Sequence, residues 1–221
     1  DIREYETSIK PVVTTSGDNS SYVWDLSKPA VHPRASNLPP EFYGQGWAAV
    51  SAAKSWYEIV DPLLPYYRTD LLLPASLTSR LDAIAAKYVN PTDRLTEAMR
   101  LVQDEIRYVS LSIGNGAILP RSPTEVMATG YGDCKDKALL LASSLRYLGI
   151  EAVVALTDLD NGNFIADLPP SLLAFDHAIV KARLNNNDIW LDATDFSQGG
   201  RGFAIGQPHF GYALPLLSGN G

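Results

Sequence analysis

The chain has 221 residues, of which 46% are hydrophobic and 19% charged, so it can bury one sizeable core with a smaller lobe attached. Its net charge of -7 and its scattered lysines and arginines argue against nucleic-acid binding, which needs a clustered basic surface. No apolar run reaches the length of a membrane span, and a single cysteine cannot form an intramolecular disulfide.

The first 50 residues are predicted to be a partial β-rich segment and linker, and residues 51–221 a separate core. Residues 1–40 are rich in Ser, Thr, Asn and Pro, with short extended runs such as Tyr22-Val23-Trp24. The prolines in Val31–Arg34 and at Pro39-Pro40 exclude a helix there. Because the chain starts at Asp1 without a methionine, we expect it to be part of a longer multidomain protein.

Three helices are predicted before residue 110. The first covers Ser51–Val60, where prolines stop it, and the second covers Leu77–Tyr88. The third starts with Asn90 as its cap and Pro91 at its first position. Its apolar residues recur at helical spacing and predict one buried stripe: Leu95, Met99, Val102, Ile106 and Val109. A loop rich in Gly and Pro follows, from Gly114 to Pro123.

A central helix is predicted from Lys135 to Leu148, because apolar residues occupy nearly all of its faces. The strands predicted after it are Ala152–Leu156, His177–Leu184 and Ile189–Ala193. The residues Asn185–Asp188 are predicted to form a four-residue turn between the last two. Helices followed by antiparallel strands indicate an α+β fold.

The only cysteine, Cys134, stands between a Gly-Asp turn and this central helix, and two interpretations are open. Most free cysteines are small buried hydrophobic side chains. A thiol at a helix N-terminus can instead be a nucleophile, because the helix dipole favours the thiolate. Lys135 and Lys137 could favour the thiolate or pair with nearby acids, and we assign no catalytic role to either.

A thiol nucleophile needs a base, and the chain has three histidines. His32 lies in the Pro-rich segment and His209 in a Gly-rich tail, so both are expected at the surface. His177 begins a strand, and hairpin parity places it on the same face as Asp192, with Asp195 on the opposite face. A simple four-residue turn would leave Asp192 diagonal to His177, and a bulge or longer loop would close that gap. A solvated histidine beside a strand-end aspartate is the alternative.

Four strings carry a family resemblance: IRYVSL from Ile106, PRSPTEVM from Pro120, GDCKDKALLL from Gly132 and WLDAT from Trp190. With Cys, His and Asp in that order, the chain resembles the transglutaminase-like (papain-like cysteine protease) superfamily. The likeness is to bacterial cores that follow a β-rich domain of unknown function in exported proteins, and it covers about residues 51–194. It implies a central buried helix, with the cysteine at its N-terminus, packed on an antiparallel β-sheet. It also implies a periplasmic or extracellular location.

The resemblance further implies a catalytic triad of Cys134, His177 and Asp192 that needs no cofactor. The thiolate would attack an amide or ester carbonyl, His177 would protonate the leaving amine, and Asp192 would orient the imidazole. The oxyanion would be held by the backbone N–H of Cys134, with Tyr108 as candidate for a second donor. The groove walls are expected from residues 114–123 and 158–174.

Two further expectations concern the surroundings of the site. Phe175 and Trp190 are expected to support His177 from behind. The segment Asp158–Asn163 has carboxylates at alternate positions, as in a calcium loop, but it lacks the downstream glutamate and is predicted to be a surface turn. No metal site is predicted, since one cysteine and three dispersed histidines cannot form a zinc-type cluster.

Three functions fit these residues. The first is hydrolysis of peptide or isopeptide bonds in a protein or peptide substrate. The second is a true transglutaminase, which passes the acyl group to an amine instead of water. The third is a catalytically silent module that binds peptides or glycans within an envelope protein.

Overall fold

The computed structural model describes residues 2–5, 10–25, 47–110, 114–196 and 198–219. The helices are α1 Tyr57–Val60, α2 Ala75–Lys87, α3 Pro91–Glu105, α4 Pro123–Thr129 and α5 Cys134–Tyr147. The strands are β1 Ile2–Tyr5, β2 Val12–Ser16, β3 Asn19–Val23, β4 Trp47–Val50, β5 Arg107–Tyr108, β6 Tyr131–Gly132, β7 Ala152–Thr157, β8 His177–Leu184, β9 Asn187–Leu191 and β10 Leu214–Pro215. Short 3₁₀ turns cover Asp61–Leu63, Gly114–Ala117, Gly162–Asp167, Leu172–Ala174 and Gly202–Ala204.

The centre of the fold is a four-stranded antiparallel sheet in the order β10-β7-β8-β9. Helix α5 packs on β7 and β8, and α3 and α4 pack on α5. Every residue of α5 from Cys134 to Leu145 is buried, as expected from apolar residues on nearly all faces of the helix. The α+β class and the central helix with Cys134 at its start are therefore confirmed.

Helix α3 begins as predicted and ends earlier. The side chain of Asn90 accepts a hydrogen bond from the N–H of Thr92 at 2.9 Å, and Pro91 is the first helical residue. After Glu105 the chain becomes strand β5, which pairs in parallel with β6. The prediction that one helical stripe continues to Val109 is therefore wrong: Ile106 is buried beyond the helix, and Val109 follows β5.

The predicted helix over Ser51–Val60 is wrong for its first half, because only Tyr57–Val60 is helical. The hydroxyl of Ser51 accepts a hydrogen bond from the N–H of Ala53, at 3.1 Å, and donates one to the carbonyl of Pro170. Serine side chains that bond the backbone in this way compete with helical hydrogen bonding. The chain then continues from α1 into the 3₁₀ turn Asp61–Leu63.

Helix α4 begins at Pro123, where the sequence predicts only the end of a loop. Ser122 and Glu125 form a capping box: the Ser122 hydroxyl accepts from the N–H of Glu125, and the Glu125 carboxylate accepts from the N–H of Ser122. The helix ends at Gly130, whose φ of +69° is the left-handed conformation that glycine adopts without strain.

The β8–β9 hairpin has a two-residue turn instead of the predicted four-residue turn. Asn185 and Asn186 have φ of +51° and +64°, and strand β9 begins at once with Asn187. A two-residue turn with positive φ at both positions matches the twist of the flanking strands, and asparagine tolerates that conformation well. The register pairs Leu184 with Asn187 and Val180 with Leu191.

The described part of the first 50 residues consists of two antiparallel strand pairs, β1 with β4 and β2 with β3. The Pro-rich residues Val31–Arg34 and Pro39-Pro40, and with them His32, lie outside the described residues. The division of the chain at residue 50 stays a prediction. None of the helices in the described ranges is both long and apolar enough to cross a membrane.

Candidate active site

The start of α5 is held by two aspartates. The carboxylate of Asp133, the capping residue, accepts hydrogen bonds from the N–H groups of Lys135 and Asp136 at 3.0 and 3.2 Å. Asp136 accepts in turn from the N–H of Asp133. The guanidinium of Arg121 donates to Asp136 at 2.9 and 2.8 Å, and its backbone N–H does so at 2.7 Å. This arrangement fixes Cys134 as the first residue of the helix.

Cys134 lines a cavity of about 260 Å³ and is 8% exposed. Ala117 and Ile118 line this cavity from one predicted wall, and Leu172 lines it from the other. Both loops that we expect to form the groove therefore contribute to it.

Tyr67 also lines the cavity, and nothing in the sequence singled it out. It belongs to the segment that follows α1, and its hydroxyl donates a hydrogen bond to the carbonyl of Ile118 at 2.7 Å. Tyr67 thus holds one wall in place. Its position depends on contacts between distant parts of the chain, so no local signal could have identified it.

His177 and Asp192 meet on the sheet beside Cys134. The Nε2 atom of His177 lies 2.9 Å from a carboxylate oxygen of Asp192, and both side chains are buried. Continuing the β8–β9 register places position 194 opposite His177, so Asp192 is its diagonal neighbour on the same face. The two-residue turn between β8 and β9, and not a bulge, sets the register that brings His177 and Asp192 close enough to form a hydrogen bond.

The other oxygen of Asp192 is held by Thr194. It accepts from the backbone N–H of Thr194 at 2.8 Å and from its hydroxyl at 2.7 Å. The main chain of Asp192 is held as well, since its N–H donates to Gln207 and its carbonyl accepts from the Gln103 amide. Both carboxylate oxygens and both backbone polar groups of Asp192 therefore have partners.

The pKa of His177 is raised from 6.5 to about 9. Burial acts against the charged ring, but hydrogen bonds to Asp192 and Cys134 and the negative charges of both outweigh it. The pKa of Asp192 is lowered although burial would raise it, because His177 and Thr194 stabilise the carboxylate. Asp192 and Cys134 therefore both favour the charged form of the His177 ring.

The ring that stacks on His177 is Phe210, with centroids 6.1 Å apart and an interplanar angle of 25°. The sequence did not single out Phe210. Phe175 lines the cavity and packs against Trp56, with centroids 5.4 Å apart, while Trp190 lies beneath the ammonium of Lys181. The structure thus places Phe210 in the supporting position that we expected for Phe175 and Trp190.

Glycines allow Phe210 to reach His177. A Cβ atom at Gly162 would lie 1.7 Å from the carbonyl oxygen of Phe210, so no other residue fits there without displacing the backbone. The N–H of Tyr212 donates to the carbonyl of Gly162 at 3.1 Å and holds this approach. The tail after residue 205 is thereby tied to the 3₁₀ turn Gly162–Asp167.

Tyr108 lies at the edge of the same cavity and is 44% exposed. It pairs with Gly132 in the short parallel β5–β6 ladder, two residues before Cys134. Its pKa is raised by partial burial and by the negative charge of Cys134. Tyr108 and Cys134 therefore line the same cavity.

Lys135 and Lys137 are both buried and paired. The ammonium of Lys135 lies 2.6 Å from a carboxylate oxygen of Asp133. The ammonium of Lys137 donates hydrogen bonds to the backbone carbonyls of Gln103, in α3, and Ile106, the residue after α3. These partners explain why two lysines are tolerated near a helix N-terminus, where the dipole disfavours them.

The remaining candidate residues lie away from the site. His209 is exposed, as predicted. Asp158 uses its carboxylate to accept hydrogen bonds from the N–H groups of Asp160 and Asn161, which is the geometry of a turn. Within the described ranges, no three His, Cys, Asp or Glu side chains are grouped so that they could hold a metal ion.

A cysteine at the start of a central helix, facing a histidine on an antiparallel sheet, defines a papain-like core. The transglutaminase-like superfamily matches residues 79–194 of the chain, which include Cys134, His177 and Asp192. The chain belongs to the transglutaminase-like superfamily.

Two solved structures resemble the chain. A candidate protease from Parabacteroides distasonis superposes with a TM-score of 0.66 at 16% identity, covering 100% of this chain and 41% of its own. A candidate cysteine protease from Cytophaga hutchinsonii gives a TM-score of 0.43 at 21% identity, covering 71% of this chain and 53% of its own. The first likeness supports the fold, and the chain spans less than two thirds of either protein. The search of curated proteins gives no match.

Proposed function

We propose that this chain carries a cysteine acyl-transfer enzyme that hydrolyses amide bonds of peptides or isopeptides. Cys134 is the nucleophile, His177 the general acid and base, and Asp192 the residue that orients His177. The observation that carries the proposal is the position of His177 on the cavity wall, between Cys134 and the buried carboxylate of Asp192. Membership of the transglutaminase-like superfamily supports the same chemistry.

The chemistry follows from which nitrogen of His177 faces which partner. Nε2 is bonded to Asp192, so Nδ1 is the nitrogen available to Cys134. The Cys134 thiolate attacks the carbonyl carbon, and the tetrahedral oxyanion collapses with cleavage of the C–N bond. The leaving amine takes its proton from Nδ1 of the imidazolium. The neutral ring then takes a proton from water, which attacks the thioester, and the thiolate is released with the acid product.

The oxyanion needs two donors near Cys134. The first is the backbone N–H of Cys134, which as the first helical N–H has no partner within the helix. The second is the hydroxyl of Tyr108, which lines the same cavity. We include Tyr108 in the proposal on that position and on the influence of the Cys134 charge on its pKa.

Alkylation by iodoacetamide tests the proposal without a known substrate. Cys134 is the only cysteine, so every adduct reports on it. We expect the wild-type thiol to react at pH 6 much faster than glutathione, and His177→Ala to remove that advantage. His209→Ala, which changes an exposed histidine, is the matched control and keeps the wild-type rate. A wild-type rate equal to that of glutathione, or one unaffected by His177→Ala, would contradict the proposal and favour a binding module.

The acceptor of the acyl group is a separate question. The same residues support transfer to water or to a primary amine, and the difference lies in whether water is kept from the thioester. Incubation with a peptide mixture and a labelled diamine measures both outcomes. We expect peptide release without incorporation of the amine, whereas incorporation in the wild type and not in Cys134→Ala would identify a transglutaminase.

The proposal includes location and context. A bacterial periplasmic or extracellular protein, with this core in a longer multidomain chain, is what the resemblance of the IRYVSL, PRSPTEVM and GDCKDKALLL strings supports. Fractionation of the native cells with an antibody against the core tests it. Recovery in the cytoplasm would contradict it.

A further inference from the structure

Lys137 is a buried cation that the proposed chemistry does not use. It lies on α5 one turn after Cys134, and its side chain is 1% exposed. Its ammonium donates hydrogen bonds to the carbonyl of Ile106 at 2.6 Å and to that of Gln103 at 3.2 Å. Burying an ammonium is costly unless such partners are present, so a lysine at this position needs a reason.

The two carbonyls belong to the end of α3, where backbone carbonyls have no helical partner. A positive charge at a helix C-terminus is also favoured by the helix dipole. Burial lowers the pKa of Lys137 to about 8, although the negative charges of Asp192 and Asp104 favour its ammonium form. The nucleophile helix is thus tied to the end of α3 by one side chain.

The contact of Lys137 with Gln103 leads to Asp192. Gln103, whose carbonyl binds Lys137, is 4% exposed, and its side-chain amide donates to the Asp192 carbonyl at 2.8 Å. The same amide nitrogen donates to the side-chain oxygen of Gln198 at 3.0 Å. The contacts run in order from the helix of Cys134 through Lys137 and Gln103 to the aspartate that orients His177.

The contact of Lys137 with Ile106 leads to Tyr108. Ile106 directly precedes β5, and the next residue, Arg107, donates its N–H to the carbonyl of Gly130 at 2.9 Å. Tyr108 then pairs with Gly132 at the edge of the cavity. Lys137 therefore anchors the point from which the chain departs toward Tyr108.

We propose that Lys137 is a positioning residue, whose ammonium ties the Cys134 helix to the end of α3 so that Gln103 holds Asp192 and Ile106 directs Tyr108 to the cavity. The proposal rests on the proposed function of Cys134, His177 and Asp192. Lys137 does not touch the reacting atoms. It acts through the residues that it holds.

The experiment compares Lys137→Met with Leu145→Ala, which removes buried volume two turns further along the same helix. Both variants are expected to lose stability, and both are measured where they are fully folded. The readout is the pH midpoint of the His177 Cε1–H resonance, expected near 9 in the wild type. Lys137→Met should lower this midpoint by about one pH unit or more, because a displaced Asp192 stabilises the imidazolium less. Leu145→Ala should leave it unchanged.

Gln103→Leu interrupts the same contacts one step nearer to Asp192 and should shift the midpoint in the same direction. The double variant should shift the His177 midpoint little more than either single variant, because Lys137 and Gln103 reach Asp192 through the same chain of contacts. If Lys137→Met does not fold, the midpoint is measured in Gln103→Leu instead. A His177 midpoint equal to that of the wild type, in whichever of these two variants is folded, would overturn the inference.

The two proposals fail in different ways. A wild-type midpoint near 6.5, together with an unreactive Cys134, would contradict the proposed function itself. If the wild type behaves as expected but Lys137→Met and Leu145→Ala have the same His177 midpoint, only the role of Lys137 is contradicted.

Discussion

Replacing Asp192 by Asn tests how much the charge of this carboxylate does for His177. The substitution keeps the shape and the oxygen that accepts from Thr194, but it removes the negative charge 2.9 Å from Nε2. A His177 pKa of about 9 instead of 6.5 corresponds to about 3 kcal/mol in favour of the imidazolium. This energy is the net result of a burial penalty and of favourable contributions from both Asp192 and Cys134, so it is not the share of Asp192 alone.

We expect the pKa of His177 to fall toward 6.5 in Asp192→Asn, because burial continues to oppose the charge. At pH 7.5 the charged fraction of the ring would then drop from roughly 97% to as little as about 10%. The pH dependence of the His177 Cε1–H resonance measures the pKa directly. The rate of Cys134 alkylation, followed over the same pH range, reports whether the thiol loses its charged partner.

Asp195→Asn is the matched control for this experiment. Asp195 is exposed and follows Asp192 by three residues, and the structure does not place it against His177. Its variant should keep the wild-type midpoint. A folded Asp192→Asn protein in which His177 still titrates near 9 would refute the view that this carboxylate raises the pKa.

Three further predictions follow from the same geometry. Tyr108→Phe should lower turnover of a fluorogenic peptide by about 100-fold if its hydroxyl holds the oxyanion, and an unchanged kcat would exclude that role. Gly132→Ala should lower the free energy of unfolding in urea by about 1–3 kcal/mol, because the added Cβ would lie 2.8 Å from the Cβ of Asp136. Gly206→Ala is the control and should leave this free energy unchanged, since no atom lies within 4 Å of its added Cβ. The free energy of unfolding should fall by up to about 2 kcal/mol between pH 6.5 and 8, because the raised pKa of His177 stabilises the fold fully below 6.5 and progressively less toward 9. Above pH 8 the lowered pKa of Lys137 acts in the opposite direction. A smaller fall is expected in Asp192→Asn, and equal falls in both proteins would refute this assignment.

Local signals in the sequence predicted most of the fold. The cap at Asn90, the apolar faces of the central helix and the strand from His177 are all found where the residues indicate them. The capping box at Ser122 and Glu125 is just as local, and reading it would have predicted α4. The two-residue asparagine turn was equally readable, because asparagine accepts positive φ at both positions.

What the sequence could not predict depends on contacts between distant segments. Parallel pairing of β5 with β6 joins residues more than 20 positions apart and ends the stripe of α3 early. Phe210 reaches His177 from the C-terminal tail, and Gln103 reaches Asp192 from α3, 89 residues earlier in the chain. No spacing rule links such residues, so they become visible only when the chain is folded.

The environment of Cys134 is compatible with both interpretations of this thiol, a buried side chain and the nucleophile that we propose. Its side chain is 8% exposed and packs in the main hydrophobic core, which agrees with a small buried side chain. A sulfur placed there only for packing would have apolar neighbours on every side. Instead it shares a cavity with His177 and with the paired charges of Asp133 and Lys135. Asp133 and Lys135 satisfy each other and the start of α5, and packing from the core limits the rotamers of the thiol beside them. The low exposure of Cys134 is therefore compatible with the preorganised nucleophile that we propose.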